Sequence, residues 1–363
     1  MTPPMDTFTG TKPVAASHAF DVAALERHLE AHLDGFAGPL AVEQFKGGQS
    51  NPTYKLATRG ASYVMRSKPG PAAKLLPSAH AIEREFRVMQ ALAATDVPVA
   101  RMHLLCEDES VIGRAFYVMQ YVEGRVLWDQ SLPGFSSAGR AAIYDEMNRV
   151  IAALHTVDAR AVGLADFGKP GNYFERQIGR WSKQYAASVT QPMDAMDELI
   201  AWLPAHIPPG ARDDATVSIV HGDFRLDNLI FDPHGPRVLA VLDWELSTLG
   251  HPLADFSYHC MAWHIPPGTF RGIGGLDLAA LGIPDERSYV RRYCERTARA
   301  DADAVMADWN FYMAYNLFRI AAILQGIAKR AEVGTASSTQ ARESGGRARD
   351  LAEMGRRFAR NTQ

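Results

Sequence analysis

The spacing of hydrophobic positions changes several times along the chain. Between Phe20 and Leu33, the run DVAALERHLEAHL puts Val22, Leu25, Leu29 and Leu33 on one stripe, which predicts a short amphipathic helix. From Leu40 to Arg66 the period shortens. LAVEQF, KGGQSNP and TYKLATRGASYVMR read as strand, Gly-rich turn, strand, a tight turn at Arg59-Gly60, and strand. The proline-containing loop KPGPAAKLLPSAH then leads into a helix over about Ala79–Ala94, with Ile82, Phe86, Met89 and Leu92 as its apolar stripe. Val97–Tyr121 returns to strand character, ends in AFYVMQYV, and is broken by Glu123-Gly124.

Beyond that break the pattern is mainly helical, apart from one strand–loop–strand block between Val217 and Trp244. The expectation is an α+β chain: a small β-rich first lobe over 20–121, a larger helical second lobe over 122–335, and a polar segment over 336–363 with a weak helix near Leu351–Phe358. No internal repeat is visible. The N-terminal run MTPPMDTFTGTKPVAASHAF lacks an apolar core of signal-peptide length and reads as a tail. Phe311–Ala328 approaches the length of a membrane span, but Arg319 lies at its centre with Asn316 and Gln325 beside it. A central arginine costs about 2.5–3.5 kcal/mol on insertion. The segment therefore reads as a buried helix whose arginine faces a cleft or a carboxylate, and a soluble cytoplasmic chain with no membrane partner is expected.

Composition adds bounds rather than a function. The 363 residues are 47% hydrophobic and 22% charged, ordinary for a globular protein, and the length suggests two domains or lobes. A net charge of -3 gives no bulk drive toward nucleic acid. Three scattered cysteines, Cys106, Cys260 and Cys294, with no CxxC pair, argue against a disulfide framework and for a reducing compartment.

The chemistry concentrates in Ser218–Glu245, SIVHGDFRLDNLIFDPHGPRVLAVLDWE. An apolar strand delivers His221-Gly222-Asp223 to a loop, Asn228 follows five residues after the acid, and a hairpin turning at Asp232–Gly235 ends in Asp243. This pattern predicts Asp223, Asn228 and Asp243 at adjacent strand ends. Two carboxylates and an amide oxygen are hard donors of the kind that Mg²⁺ bound to phosphates requires.

H-G-D-x-x-x-x-N followed by a hydrophobic-D-W-E run resembles the aminoglycoside phosphotransferase-like kinases. That resemblance implies the two-lobed protein-kinase-like fold, a small β-rich N-lobe beside a larger helical C-lobe, with ATP and Mg²⁺ as cosubstrate and metal. The strings GGQSNPTY, KLLPSAHAIEREFRVMQAL, GKPGNYFERQIGRW and HGDFRLDNLIFDP are similar to the phosphotransferase domain associated with acyl-CoA dehydrogenases, over roughly residues 30–335. The chain is too short to include such a dehydrogenase itself. The resemblance implies phosphorylation of a hydroxy fatty acid or hydroxyacyl-CoA, with functional coupling to an acyl-CoA dehydrogenase as a possible partner relation.

Within that frame Gly47, Gly48, Ser50 and Asn51 occupy the place of a phosphate-covering loop. Arg66 stands where the family usually has lysine, with Lys68 two residues on as the fallback. Glu85 falls at the edge of the helix stripe while Glu83 groups with Arg87 and Gln90, so Glu85 is the expected partner of Arg66. Backbone groups near Gln120 and Val122 would meet the adenine edge. Asp223 would orient the acceptor hydroxyl, Arg225 would stabilise charge on the transferring phosphate, and Asn228 and Asp243 would hold the metal. His221 reads as structural. Arg176 and Arg180, one turn apart, and Arg319 in the most apolar helix are the candidate acceptor cations; they suit an anionic acceptor better than a polycationic one. A kinase of another small alcohol (an aminoglycoside, choline or a sugar) and a non-catalytic ATP-binding scaffold remain as alternatives. A protein kinase is disfavoured because no DFG–APE segment follows Asp243.

Overall fold

The protein is described here from a computed structural model, over residues 10–46, 51–70, 81–169, 171–212, 217–298, 301–332 and 339–361. In chain order the elements are β1 (Thr11–Lys12), α1 (Val22–His32), β2 (Ala41–Phe45), β3 (Thr53–Ala57), β4 (Ser62–Ser67), α2 (Ile82–Leu92), β5 (Met102–Cys106), β6 (Phe116–Gln120), β7 (Arg125–Val126) and α3 (Ser137–Thr156). There follow α4 (Tyr173–Ser188), α5 (Asp194–Ala205), β8 (Ser218–Val220), β9 (Leu229–Phe231), β10 (Val238–Val241), β11 (Thr248–Gly250) and α6 (Pro252–Cys260). The chain ends in α7 (Leu278–Leu281), α8 (Glu286–Thr297), α9 (Ala302–Ala307), α10 (Trp309–Glu332) and α11 (Thr339–Arg360). Two compact units result: the chain up to Trp128 together with Asp227–Ser247, and Asp129–Leu226 together with the chain from Thr248 onward. The 227–247 hairpin thus packs with the first unit, although the sequence reading drew a single boundary near residue 121.

The first unit is built on a six-stranded antiparallel sheet in the order β1-β2-β3-β4-β6-β5. Alternation along the strands buries Tyr54, Leu56, Met65, Phe116 and Val118 against Leu25 and Leu29 of α1. Helix α1 is capped by Asp21, whose carboxylate accepts from Ala24 N at 3.0 Å. Within the segment expected to be a tail, the described residues from Gly10 on are structural: Thr11 and Lys12 pair with Phe45 and Gln44, and Tyr54 donates to His18 O. Two polar residues between prolines and glycines carry too little periodicity for so short an edge strand to be read from sequence.

The second sheet of this unit, β10-β9-β7, contains a strand that the sequence reading missed. Arg125 and Val126 pair with Phe231 and Ile230 directly after the predicted break. Gly124 permits this approach, since a Cβ there would lie 2.4 Å from Ile230 Cγ2 and 2.5 Å from Phe231 O.

In the second unit α10 is the organising element, buried from Phe311 through Ala322 and packed against α4, α5, α6 and α11. Two of its buried polar residues tie it to neighbouring helices. Asn316 donates to Ala254 O and Ser257 Oγ of α6, and Gln325 donates to Ser188 O of α4. No helix among the described residues is long and apolar enough to cross a membrane. Strand β8 pairs with β11, not with the β9–β10 hairpin. Asp223 therefore follows a different sheet from the one that carries Asn228 and Asp243, contrary to the expectation of three neighbouring strand ends; the strand pairing β8 lies beyond Asp243 and was not foreseen.

The C-terminal segment also differs from expectation. It forms a 22-residue helix rather than a polar tail with a weak turn. Ala348, Leu351, Ala352 and Ala359 are buried, and the three alanines let α11 pack closely on α10 and α5. A buried stripe of alanines and a glycine carries little hydrophobic signal, so the segment reads as polar. Leu351 is fully buried, so Leu351→Ala should destabilise the protein by about 2–5 kcal/mol in urea unfolding. A loss below about 0.5 kcal/mol, typical of a surface position, would show that α11 is not integral to the fold.

Candidate active site

In the first unit the site is built around a buried cation. Strand β4 brings in Arg66, which is 8% exposed, and the stripe of α2 carries Glu85, which is 1% exposed. Arg66 Nε lies 3.0 Å from Glu85 Oε2, while Nη2 reaches Asp243 Oδ1 at 3.0 Å and Glu245 Oε2 at 3.3 Å. Glu85 also accepts from Tyr117 Oη at 3.0 Å and from Asn51 Nδ2 at 2.9 Å. One guanidinium thus faces three carboxylates. Burial, together with the charge of Asp243, pushes the Glu85 carboxyl above its ordinary value despite Arg66. For Arg66, burial disfavours the charged form, but Glu85 and the other acids overcome it and raise its pKa. The cluster is short of positive charge.

The hairpin β9–β10 places Asn228 and Asp243 side by side in the chain fold. Leu242 N donates to Asn228 O at 2.8 Å, so the residue just before β9 and the one that follows β10 are tied through the main chain. Asp243 has φ 64°, a left-handed backbone uncommon outside Gly, Asn and Asp. Among the described residues no group of three His, Cys, Asp or Glu is arranged to hold a metal. Asn228 and Asp243 supply two hard oxygen donors, which suits Mg²⁺ when phosphate oxygens and water fill the rest of its shell. A dication would also offset the surplus negative charge around Arg66.

The remaining first-unit candidates fall in different places. Gly47, Gly48 and Ser50 lie outside the described residues. Asn51 is fully buried and its amide is taken up by Glu85, which makes it an anchor of the turn rather than a group facing phosphates. Lys68 pairs with Glu83 instead of joining the Arg66 cluster. Gln120 ends β6 opposite Tyr63, with its N–H bonded to Arg101 O, and Val122 follows half-buried.

In the second unit, β8 delivers His221-Gly222-Asp223 onto a buried acid that sequence reasoning missed. Asp255 of α6 is 3% exposed; it accepts from His221 N at 2.7 Å and Gly222 N at 2.8 Å, and lies 3.2 Å from His155 Nε2. Arg319 closes the loop from the other side, donating to Gly222 O at 2.6 Å while its guanidinium lies over the rings of Tyr258 and Trp181. Both the amide and the carbonyl sides of Gly222 are therefore fixed. Asp223 Oδ1 accepts from Tyr258 Oη at 2.6 Å, and Oδ2 lies 3.1 Å from Arg225 Nη2. Asp255 and Tyr258 are three residues apart on α6 and share a face: one holds the loop backbone, the other the loop's acid. The available signal was GHPLADFSY, an acid just inside a helix that opens with proline.

The three candidate acceptor arginines are brought together in part. The charges of Arg176 and Arg319 bear on the Tyr173 hydroxyl and those of Arg180 and Arg319 on that of Tyr315. Arg176 also donates to Lys169 O at 2.7 Å, and Arg180 lies over the Trp181 ring. Arg319 is placed otherwise than expected, beneath the loop as its support, because the nearest acceptor to its buried head is the Gly222 carbonyl.

Residues 41–300 match the model of the family described as phosphotransferase enzyme family. Mouse acyl-CoA dehydrogenase family member 10 is 48% identical over 96% of the chain, which spans 32% of that relative's length. The crystal structure of a Ralstonia eutropha JMP134 protein, provisionally named an aminoglycoside phosphotransferase, is similar with a TM-score of 0.86 and 64% identity over 95% of this chain and 100% of that one. The GDP complex of aminoglycoside 2'-phosphotransferase-IIIa has a TM-score of 0.60 at 13% identity, over 93% of this chain and 98% of that one, which shows a shared mixed α+β, kinase-like fold.

Burial pushes the Asp255 carboxyl up, but His155 and His221 overcome this and hold it below its ordinary value. Its stabilising contribution is therefore present above the unfolded value near 3.9 and is lost as pH falls through the lower folded value. Asp255→Asn should cost about 3 kcal/mol or more at neutral pH and progressively less in acid. Urea unfolding at neutral and strongly acidic pH tests this; an equal cost at both would contradict it.

Proposed function

From the premise that this chain belongs to the phosphotransferase enzyme family, we propose that it transfers the γ-phosphoryl group of ATP, with Mg²⁺, to a hydroxyl of a small anionic acceptor, a hydroxy fatty acid or its CoA thioester. The observation that carries the reading is the state of Asp223: a carboxylate at the end of a loop fixed by Asp255 and Arg319, bound by one neutral and one cationic donor. Phosphoryl transfer calls mainly for positioning and charge compensation, and a held carboxylate meets the first need.

Asp223 accepts a hydrogen bond from the acceptor hydroxyl, directing its oxygen toward the phosphorus and taking the proton as the bond forms. Arg225, already beside Asp223, compensates charge on the transferring group. Asn228 and Asp243 would hold Mg²⁺, which when bound neutralises phosphate oxygens. Arg66 lies between Glu85 and Asp243 and, as a planar fork, can offer N–H groups to phosphate where a lysine would offer a point charge. Main-chain groups near Gln120 and Val122 would meet the adenine, and the Gly47–Asn51 turn would cover the phosphates. Arg176 and Arg180 would add positive charge on the acceptor side. The acyl acceptor is supported by the likeness to a mouse protein named as an acyl-CoA dehydrogenase family member. A phosphorylated hydroxyl is a good leaving group, so coupling to an enzyme of acyl-CoA oxidation is part of the proposal.

Two variants separate the roles. Asp223→Ala should lower kcat by about 10²–10⁴-fold and leave ATP binding largely intact in calorimetry. Asp243→Asn keeps a residue tolerant of the left-handed backbone but removes a charge, and should weaken Mg-ATP binding. Magnesium-dependent ATP consumption that survives Asp223→Ala, or loss of nucleotide binding from Asp223→Ala alone, would overturn the assignment.

A further inference from the structure

One small cleft of the second unit lies beside the loop that follows β8. It is lined by both side chains that bind Asp223, Arg225 and Tyr258, by the apolar Phe224, Met261 and Ile265, and by Arg271. No carboxylate is among its lining residues. His259, also in the wall, is pushed by burial down to about 4 and so is neutral at physiological pH. The lining carries two guanidinium groups, that of Arg271 lying over the Phe270 ring, above the buried side chains of Phe224, Met261 and Ile265.

Arg271 is held there by its loop. Ile273 N donates to Ala262 O at 2.8 Å and Gly274 N to Ile265 O at 2.9 Å, folding the segment back onto the end of α6 and the turn that follows it. At Gly272 a Cβ would lie 1.8 Å from Ile265 O, so the chain passes against backbone at that point. Arg271, immediately before it, has φ 52°, a left-handed conformation that an arginine rarely adopts. A long cation is thus held in a backbone state suited to glycine or asparagine, on a loop pinned at its return.

We propose that Arg271 is the specificity-determining residue for the acceptor and that it binds the acceptor's anionic group while Asp223 takes its hydroxyl. The proposal rests on the reading of this unit as the acceptor side of a phosphotransferase. The anion is a carboxylate in a free hydroxy acid or a phosphate in a CoA thioester, and a guanidinium fork accommodates either.

The test compares wild type, Arg271→Asn and Arg271→Lys on a hydroxy fatty acid, its CoA thioester and its uncharged methyl ester. Asparagine suits the left-handed backbone, so the first variant removes the cation without adding strain. The ratio of kcat/KM for the anionic acceptor to that for the ester should fall about 10- to 100-fold in Arg271→Asn and recover in part in Arg271→Lys. A fall confined to the free acid identifies a carboxylate; one confined to the thioester identifies a phosphate. A ratio within twofold of wild type for both anions overturns the role of Arg271 while leaving the phosphotransferase reading standing. If wild type phosphorylates none of the three, that reading fails, and calorimetric binding of the hydroxy acid decides the cleft separately. Weaker binding by Arg271→Asn than by wild type supports it; equal binding, or none to wild type, overturns it.

Discussion

Two hydrogen bonds onto one buried carboxylate set the conditions for everything at the end of β8. Asp255 accepts from consecutive backbone amides, His221 N and Gly222 N, and a carboxylate with two oxygens matches two adjacent N–H groups better than any other side chain does. Arg319 then takes the Gly222 carbonyl. With the peptide planes on both sides of Gly222 fixed, the direction in which Asp223 leaves the chain is fixed too, and Tyr258 and Arg225 need only orient its carboxylate. The acid that does this work is shielded from water and kept ionised by His155 and His221, so the loop geometry is insensitive to ordinary changes in pH.

The two units carry opposite charge imbalances. Around Arg66 there are three carboxylates, Glu85, Asp243 and Glu245, and burial, with Asp243 adding to it, raises the pKa of Glu85 despite Arg66. Around Asp223 the imbalance is reversed, with Arg225 in contact and Arg319 acting on it through space. Buried charge is stable only when compensated. A metal ion would redress the first site and an anionic substrate the second. Solved structures named as aminoglycoside phosphotransferases share the fold.

Legibility in the sequence followed the length of each pattern. The strands β2 to β4 and the helices α1 and α2 have periodic apolar residues over several positions and could be placed to within a few residues. The pairing of Arg66 with Glu85 could be reasoned from a carboxylate on an apolar stripe, because an inward-facing acid requires a partner. Three kinds of feature could not be read. Two- and three-residue strands such as β1, β7 and β11 are defined by the partner they meet, not by their own pattern. The helix α11 buries alanines and a glycine, which hydrophobicity undervalues. Asp255 and Tyr258 act through main-chain and carboxylate contacts with residues more than thirty positions away, and sequence spacing carries no record of such contacts.

The central claim is transfer of a phosphoryl group onto carbon-bound oxygen, and phosphorus NMR of a single reaction mixture tests it most directly. With ATP, Mg²⁺ and a hydroxy fatty acid, the γ-phosphate signal should be replaced by ADP signals and by a phosphate-ester resonance coupled to the proton on the substituted carbon. Formation of ADP with inorganic phosphate alone, or an unchanged ATP spectrum with every hydroxylated acceptor supplied, would contradict the account.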